Sequence, residues 1–265
     1  MEGNRRNPPR VLSIAGSDSG GGAGIQADLK TFARCGVHGM TAVTAVTAQN
    51  TVAVTGVYPL PPEAVVEQVR AVADDLGVDA VKTGMLGDTA TIEAVGRALD
   101  LVGEAPLVVD PVMVAESGAR LLDEEAEEAL RGLLARAAVV TPNLAEAAVL
   151  AGLRVGTEQE ELARAVHALG PRAVVVTGGH GEQATDVYFD GERLEPIPGP
   201  REPEGAAHGS GCTHSAALAA QLALGLEPLE AARRAKAIAS EAVRNGLRGL
   251  GAGAGPVDVL ASDRA

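Results

Sequence analysis

The sequence predicts an α/β protein with a mostly parallel central sheet and helices on both faces. Short apolar runs alternate with amphipathic helical patterns along the chain, which is the pattern of repeated β-α-β units. Polar residues and glycines follow directly after the apolar runs. In an open α/β sheet such positions lie at the carboxyl ends of the strands, where ligands bind.

The predicted strands are short apolar runs bounded by turn residues. The segment MTAVTAVTAQ at 40–49 has the period-two alternation of a strand, and Asp190-Gly191 predicts a hairpin within 185–197. Further strands are predicted at 11–16, 52–58, 79–84, 106–110, 138–143 and 172–179.

The predicted helices carry recognisable signals at their ends. The segment 61–77 has proline at its start and glycine after its end, and 123–137 has acidic residues in its first turns. Other helices are predicted at 24–36, 89–101, 144–151 and 158–169, and two more begin at Cys212 and Glu227.

Length and composition restrict the domain organisation and the partners. The 265 residues contain neither an internal repeat nor a long linker, which predicts a disordered tail at 1–10 and one domain at 11–265.

The net charge of −13 argues against a nucleic-acid partner, because phosphate binding needs a basic face. No apolar run is long enough for a membrane span, and the polar N-terminus is unlike a signal peptide. The two cysteines, Cys35 and Cys212, favour a cytoplasmic protein without disulfides.

The segment AGSDSGGGAG at 15–24 is the first candidate ligand site. Gly22, Gly24 and Ala27 fit a loose dinucleotide-binding pattern, but the glycines do not follow the strand directly and no acidic residue ends the next strand. The chain also lacks the G-x-x-x-x-G-K-[ST] motif of a P-loop. Asp18, between small residues at a strand end, favours a substrate-binding loop over a flexible surface loop.

The segment HGSGCTHSAAL at 208–218 is the second candidate. A glycine-rich turn leads into an apolar helix, and the free N–H groups of a helix N-terminus bind anions. The pattern predicts either a phosphate site or a helix cap with a buried cysteine at Cys212.

Seven motifs along the chain match, in sequence and in order, those of one enzyme family. They are IAGSDSGGGAGIQADLKTF (14–32), TAVTAQNT (44–51), KTGML (82–86), VVDPVM (108–113), TPNLAEA (141–147), GGH (178–180) and HGSGCTHSAA (208–217). Over about residues 11–258 the chain resembles the hydroxymethylpyrimidine/phosphomethylpyrimidine kinases of thiamin biosynthesis, in the ribokinase-like superfamily. The resemblance implies a ribokinase-like fold, ATP as co-substrate, Mg²⁺ as cofactor and a homodimer.

The resemblance implies that Cys212 accepts the proton of an attacking hydroxyl, where most ribokinase-like enzymes carry aspartate. Gly209, Ser210 and Gly211 would hold the negative charge that develops on the transferred phosphoryl group. A free thiol is only about 3% ionised at pH 7, at a cost of about 2 kcal/mol. A helix N-terminus is expected to lower the thiol pKa and reduce this cost.

The resemblance also implies the residues that bind the substrate. Gln49 offers a donor and an acceptor that match an aminopyrimidine edge, and its alternative is a polar residue at a surface strand end. Met85 and Val112 are expected as apolar walls of the pocket or as ordinary core. The implied substrate-binding residues are Gln49, Gly16, Asp18, Met85, Val112 and Asp28.

The nucleotide and its metal ion would bind beside this pocket. Asn143 and Glu146 resemble an N-x-x-E motif that positions Mg²⁺ through water, with Asp110 assisting; the alternative is a solvated Glu146. The implied phosphate-binding residues are Thr177, Gly178, Gly179 and Lys82.

The chain departs from the family at three positions, of which Ser210, in place of the usual threonine, should matter little. Thr177 stands where lysine usually precedes Gly-Gly-His, so one cation for the polyphosphate is missing. Either Lys82 or an arginine compensates, or the second phosphorylation is slowed. His214 stands where an apolar residue is common, and we expect it in the core or beside the site.

The resemblance implies an ATP- and Mg²⁺-dependent kinase. It would phosphorylate 4-amino-5-hydroxymethyl-2-methylpyrimidine and then the monophosphate. A pyridoxal kinase of the same branch is the nearest alternative, because pyridoxal also presents a hydroxymethyl group on a flat heterocycle. A pyrimidine-binding sensor without catalysis is the alternative from another class, and a nicotinamide oxidoreductase is the weakest.

Overall fold

The computed structural model describes residues 7–179, 184–202 and 206–261, and one nine-stranded sheet runs through them. Its strands are β1 (Arg10–Asp18), β2 (His38–Gln49), β3 (Val54–Pro59), β4 (Ala80–Thr83), β5 (Leu107–Val109), β6 (Val139–Val140), β7 (Val174–Val176), β8 (Asp186–Phe189) and β9 (Leu194–Ile197). Their order across the sheet is β3-β2-β1-β4-β5-β6-β7-β8-β9.

The central strands of this sheet are parallel. Strands β2, β1, β4, β5, β6 and β7 pair in parallel, whereas β3 pairs antiparallel with β2, and β8 and β9 continue antiparallel from β7. The predicted mostly parallel sheet is therefore confirmed. Because the six central strands run in one direction, their carboxyl ends meet at one edge, where the predicted motifs are brought together.

Helices cover both faces of the sheet, as predicted. The described residues form α1 (Gly24–Arg34), α2 (Pro62–Asp75), α3 (Thr89–Ala98), α4 (Glu127–Leu134), α5 (Leu144–Ala151), α6 (Gln159–His167), α7 (Ser210–Ala223) and α8 (Pro228–Arg244). Helices α2 to α6 pack into the core on one face, and α1, α7 and α8 pack into the core on the other.

The alternation of side chains along the central strands explains why both faces are apolar. In β7, Val174 and Val176 enter the core beneath α2 to α6, whereas Val175 enters the core beneath α1, α7 and α8. Residues 139–140 divide between the two cores in the same way. Because both faces of such a strand are buried, its sequence is a continuous run of apolar residues, here valines.

Several boundaries differ from the prediction. Strand β1 begins at Arg10, inside the predicted tail, because Arg10 already pairs with His38 of β2. The Arg10 guanidinium also lies 2.8 Å from the Asp79 carboxylate. Residues 1–6 of that tail lie outside the described residues. Helix α7 begins at Ser210 rather than Cys212, so Cys212 lies within its first turn. Among the described residues, no helix is both long and apolar enough to span a bilayer.

Candidate active site

A cavity of about 540 Å³ lies at the carboxyl ends of the parallel strands. Residues that follow or end β1, β2, β4, β5, β6 and β7 line it, together with the first turn of α7. Every site residue expected from the sequence lines this cavity except Asp28 and Gly178. The sheet topology thus brings together motifs that are far apart along the chain.

Asp18 holds the glycine-rich loop at 18–24 in place. Its carboxylate accepts the N–H groups of Gly20, Gly22 and Ala23 at 2.8, 3.0 and 2.8 Å. His208 Nε2 lies 3.2 Å from the same carboxylate. Burial alone would raise the pKa of Asp18, but His208 and the backbone donors outweigh it and lower the pKa. The structure therefore gives Asp18 a role in shaping the loop, and its contact with a substrate stays a prediction.

The turn before α7 depends on Gly209. This residue has φ 85°, a left-handed conformation that favours glycine, and a Cβ there would overlap the carbonyl of Gly22. The glycine thus lets the loop at 18–24 and the turn before α7 pack directly on each other. The N–H groups of Gly211 and Cys212 lie in the first turn of α7, where no intrahelical acceptor exists for them. They are the donors of the predicted anion site.

Cys212 does not have the lowered pKa that its position at a helix N-terminus led us to expect. Burial is the main cause that raises the pKa of the thiol to about 12. Lys82 and the Gly24 N–H act to lower the pKa, whereas Asp110 and Asp28 raise it. The thiol lines the cavity and remains protonated at neutral pH. The expectation of a lowered thiol pKa is wrong because burial of the thiol and two nearby carboxylates disfavour the thiolate.

A buried ion network lies beneath the cavity. Lys82 Nζ lies 2.9 Å from Asp28 and 4.0 Å from Asp110, and both Lys82 and Asp28 are fully buried. Ser13 donates to Asp28 at 2.6 Å, and Ser215 donates to Asp110 at 2.8 Å. Burial raises the pKa of Asp28 and Asp110, while the carboxylates outweigh burial and raise that of Lys82.

This network changes two of the expected roles. Asp28, expected to bind substrate, does not line the cavity and instead fixes Lys82. Lys82, expected to bind phosphate, reaches the cavity wall only as an ammonium already paired with a carboxylate. Lys82 is therefore not a free cation that could replace the lysine expected at position 177.

Glu146 and Asp110 form the acidic part of the cavity. Glu146 Oε2 accepts the Asn143 N–H at 2.9 Å, and Asn143 Oδ1 accepts the Glu146 N–H at 2.9 Å, which is a capping box at the start of α5. Burial, followed by the nearby Asp110 carboxylate, raises the pKa of Glu146 to about 8. The alternative of a solvated Glu146 is therefore wrong. Asn143 positions Glu146 through this capping box.

The expected substrate side of the cavity is formed by the end of β2 and the segment after β4. Gln49 Oε1 accepts the Thr47 hydroxyl at 3.2 Å, and its backbone bonds to the Ser19 hydroxyl at 2.7 and 2.8 Å. Met85 is only 8% exposed, and its carbonyl accepts the Thr44 hydroxyl at 2.7 Å. Val112 also lines the cavity. An amide and two apolar walls thus face the same space, as expected.

The expected phosphate side of the cavity also contains polar residues that sequence reasoning did not assign to it. Thr177 and Gly179 line the cavity, and Gly178 donates its N–H to Asp186 at 3.0 Å. Asp186 and Lys236 also line this part of the cavity and form a 2.7 Å ion pair. Two signals in the sequence could have indicated them. Asp186 is a carboxylate at the start of an apolar strand, and Lys236 is one of only three lysines in the chain.

The comparisons with known proteins agree with this geometry. A family model described as phosphomethylpyrimidine kinase matches residues 18–258. The hydroxymethylpyrimidine/phosphomethylpyrimidine kinase of Rhizobium meliloti is 50% identical, over 93% of this chain and 95% of the relative. The thiamine biosynthesis bifunctional protein ThiED of Geobacter sulfurreducens is 45% identical, over 98% of this chain and 55% of that protein. Among solved structures, an ADP complex of Bacillus subtilis pyridoxal kinase has a TM-score of 0.89 and 39% identity, over 98% of this chain and 100% of that one.

The buried ion pair gives a prediction about stability. Lys82→Met leaves the Asp28 carboxylate buried without its cation, and should lower the free energy of unfolding by about 3–5 kcal/mol. Adding Asp28→Asn to Lys82→Met should recover most of this loss, because the charge that lacks a partner is removed. Urea unfolding followed by circular dichroism measures both changes. Arg97→Met, which breaks an exposed ion pair with Glu63, is the control and should cost less than about 1 kcal/mol. Additive losses in the double variant would contradict the pairing.

The raised pKa of Cys212 gives a prediction about its reactivity. In a Cys35→Ser background, alkylation of Cys212 by iodoacetamide should rise about tenfold per pH unit from pH 7 to pH 10, without a plateau. The reason is that only the thiolate reacts, and a thiol with a pKa of about 12 is still mostly protonated at pH 10. Mass spectrometry of quenched samples measures the rate. A plateau below pH 8 would show that the thiol is already ionised.

Proposed function

The chain belongs to the phosphomethylpyrimidine kinase family, and from this premise we propose that it phosphorylates 4-amino-5-hydroxymethyl-2-methylpyrimidine with ATP, and then phosphorylates the monophosphate to the diphosphate. The relationship to a thiamine biosynthesis protein supports a place in thiamin synthesis. The two free cysteines support a cytoplasmic location.

One observation carries the proposal: a pyrimidine-matching amide and an anion-binding helix N-terminus line the same cavity. Gln49 lies on the substrate side, and the 209–212 turn of α7 faces the same space. A hydroxymethyl group on a ring held by Gln49 would therefore meet the phosphoryl group of a nucleotide at the turn. Sequence spacing alone could not establish this juxtaposition, because about 160 residues separate the two features.

The turn supplies the electrostatic part of the reaction. The substrate hydroxyl attacks the γ-phosphorus of ATP, the bond to the ADP oxygen breaks, and the N–H groups of Gly211 and Cys212 stabilise the developing negative charge. Because the resting thiol has a pKa of about 12, Cys212 must first give its own proton to water in the cavity, and the thiolate then takes the hydroxyl proton. Phosphoryl transfer has a loose transition state, so this proton leaves late and little base strength is needed early. In the resting protein the neutral thiol also spares the incoming triphosphate the repulsion that a carboxylate would exert.

Glu146 and Asp110 are the residues that would hold Mg²⁺. The Asp110 carboxylate lies near enough to raise the pKa of Glu146, and such a pair of carboxylates fits a dication. Mg²⁺ in kinases is bound by one or two carboxylates plus phosphates and water. When bound, Mg²⁺ neutralises charge on the nucleotide phosphates. Asn143 keeps the Glu146 carboxylate aimed at the cavity through the capping box.

A pyridoxal kinase is the second candidate, and one observation favours it. The Bacillus subtilis pyridoxal kinase has the same fold with a TM-score of 0.89. Its identity of 39% is nevertheless lower than the 50% to the Rhizobium meliloti pyrimidine kinase. Gln49 also matches an aminopyrimidine edge better than the ring of pyridoxal, which lacks the amino donor. The pyrimidine is therefore the preferred substrate.

A product assay tests the proposed function. Purified protein is incubated with ATP, Mg²⁺ and either the hydroxymethylpyrimidine, its monophosphate or pyridoxal, and products are identified by mass spectrometry. We expect monophosphate and diphosphate from the pyrimidine substrates, and at least about a hundredfold lower kcat with Cys212→Ala. Cys35→Ser is the matched control and should leave kcat unchanged.

The other outcomes of this assay separate the alternatives. Product from pyridoxal alone would replace the pyrimidine as substrate. Binding of the pyrimidine without any product would favour a sensor. Monophosphate as the only product would mean that the second phosphorylation is lost in this chain.

We also propose a homodimer in which a second copy packs on the outer strand β3. This strand forms one edge of the sheet, and Val57 and Tyr58 on it are 44% and 63% exposed. Val46 on the neighbouring strand β2 is 46% exposed, so the edge presents an apolar surface. Light scattering should show twice the chain mass at micromolar concentration, and Tyr58→Lys should weaken the association. A monomeric wild type would refute the proposal.

A further inference from the structure

A buried polar cluster occupies the phosphate side of the cavity. Lys236 of α8 lies 2.7 Å from Asp186 of β8, and His214 Nε2 of α7 lies 3.4 Å from the other oxygen of the same carboxylate. All three residues line the cavity and are less than 10% exposed. Neither ring nitrogen of His214, nor Oδ2 of Asp186, has a hydrogen-bond partner within the described part of the chain. Unpartnered buried polar atoms facing a cavity indicate a site for a polar ligand.

The cluster is joined directly to the turn that follows β7. Oδ1 of Asp186 accepts both the Lys236 ammonium at 2.7 Å and the Gly178 N–H at 3.0 Å. One carboxylate oxygen therefore joins the Lys236 ammonium to the N–H of Gly178, the residue next to Thr177. The family resemblance implies a lysine at position 177, where this chain has Thr177.

The other cations at the cavity are less suited to replace that lysine. Lys82 is fully buried, and both oxygens of Asp28 accept its ammonium at 2.9 Å. Two of its donors are thus used within the described residues, against one for Lys236. Arg201 lines the cavity, but it lies on its exposed rim. Burial, with Lys236 nearby, lowers the pKa of His214, so this ring is neutral at pH 7. Lys236 is the cation of the cluster, and it both reaches the cavity and adjoins the Gly-Gly turn through Asp186.

The fold makes room for the Lys236 side chain. A Cβ at Gly199 would overlap Lys236 Cε, so the absence of a side chain there lets the lysine pass between α8 and the segment after β9. An ammonium has three donors, and within the described residues only Asp186 accepts one of them. Among those residues the other two donors have no acceptor, so they are available to phosphate oxygens.

We propose that Lys236 is the cation that neutralises the nucleotide phosphates in this chain, in place of the lysine that Thr177 replaces. Asp186 is its positioning residue, because it holds the ammonium beside the Gly178 N–H. The inference rests on the proposed function, since it assumes that this side of the cavity binds ATP. It also implies that the substitution at position 177 does not abolish the second phosphorylation.

ADP binding to purified variants, measured by isothermal titration calorimetry, tests the proposal. Lys236→Gln keeps a donor for Asp186 but removes the charge, and should raise the Kd for ADP by about one to two orders of magnitude. The Kd for adenosine should change less than about threefold, because adenosine has no phosphate. Adding Thr177→Lys should restore ADP affinity to within about threefold of the wild type. Arg233→Gln is the matched control, because Arg233 lies on the same helix and its charged partners are Glu195 and Glu230 at 3.9 Å.

Several outcomes would overturn the proposal. An unchanged Kd for ADP in Lys236→Gln, with a raised Kd in Arg201→Gln, would assign the cation to Arg201. Equal weakening of ADP and adenosine, or no rescue by Thr177→Lys, would show that Lys236 only supports the structure. If Lys236→Gln does not fold, Thr177→Lys alone decides: less than about twofold tightening of ADP supports the proposal, and more than about tenfold contradicts it. Normal ADP binding without any phosphorylated product would refute the proposed function and leave the assignment of Lys236 intact.

Discussion

A buried ammonium ion, Lys82, is the interaction on which the geometry of the cavity depends. It comes from β4, bonds to Asp28 of α1 and lies 4.0 Å from Asp110, which follows β5. Ser215 of α7 then bonds to Asp110 at 2.8 Å. A charge buried without a partner costs several kcal/mol, so these elements cannot separate without a large loss of stability. The network thereby fixes α7, and with it the turn at 209–212, relative to the central strands.

The cavity brings groups of different charge together. The thiol of Cys212 is neutral, the raised pKa values of Asp110 and Glu146 favour a bound cation or proton, and the ion pair of Lys236 and Asp186 adjoins the Gly178 N–H. A nucleotide polyphosphate with its metal ion is the kind of ligand that needs both signs of charge close together. A cavity that belonged to a sensor of the uncharged pyrimidine alone would not need either the acidic pair or the buried lysine.

Much of the fold and of the site was predictable because the signals were local. Valine runs and terminal glycines marked the strands and helices, and the carboxyl ends of parallel strands must meet at one edge. The burial of each polar side chain around the cavity was not predictable from the sequence. Asp28 looks like a site residue in sequence but turns into the protein to meet Lys82. The raised pKa of Cys212 likewise depends on burial and on carboxylates 100 or more residues away in the chain. The ion pair of Asp186 and Lys236 joins residues 50 positions apart, and no short motif contains both.

The direct contact between Gly22 and Gly209 has a consequence for how substrate preference can change. Asp18 and His208 bond to each other across the same junction at 3.2 Å, so the loop near the start of the chain and the turn near its end form one rigid unit. A longer or bulkier loop grafted at 18–24 from a relative with another substrate would push directly on the first turn of α7. Transplanting specificity into this scaffold therefore requires both segments to be exchanged as a matched pair, although nearly two hundred residues lie between them.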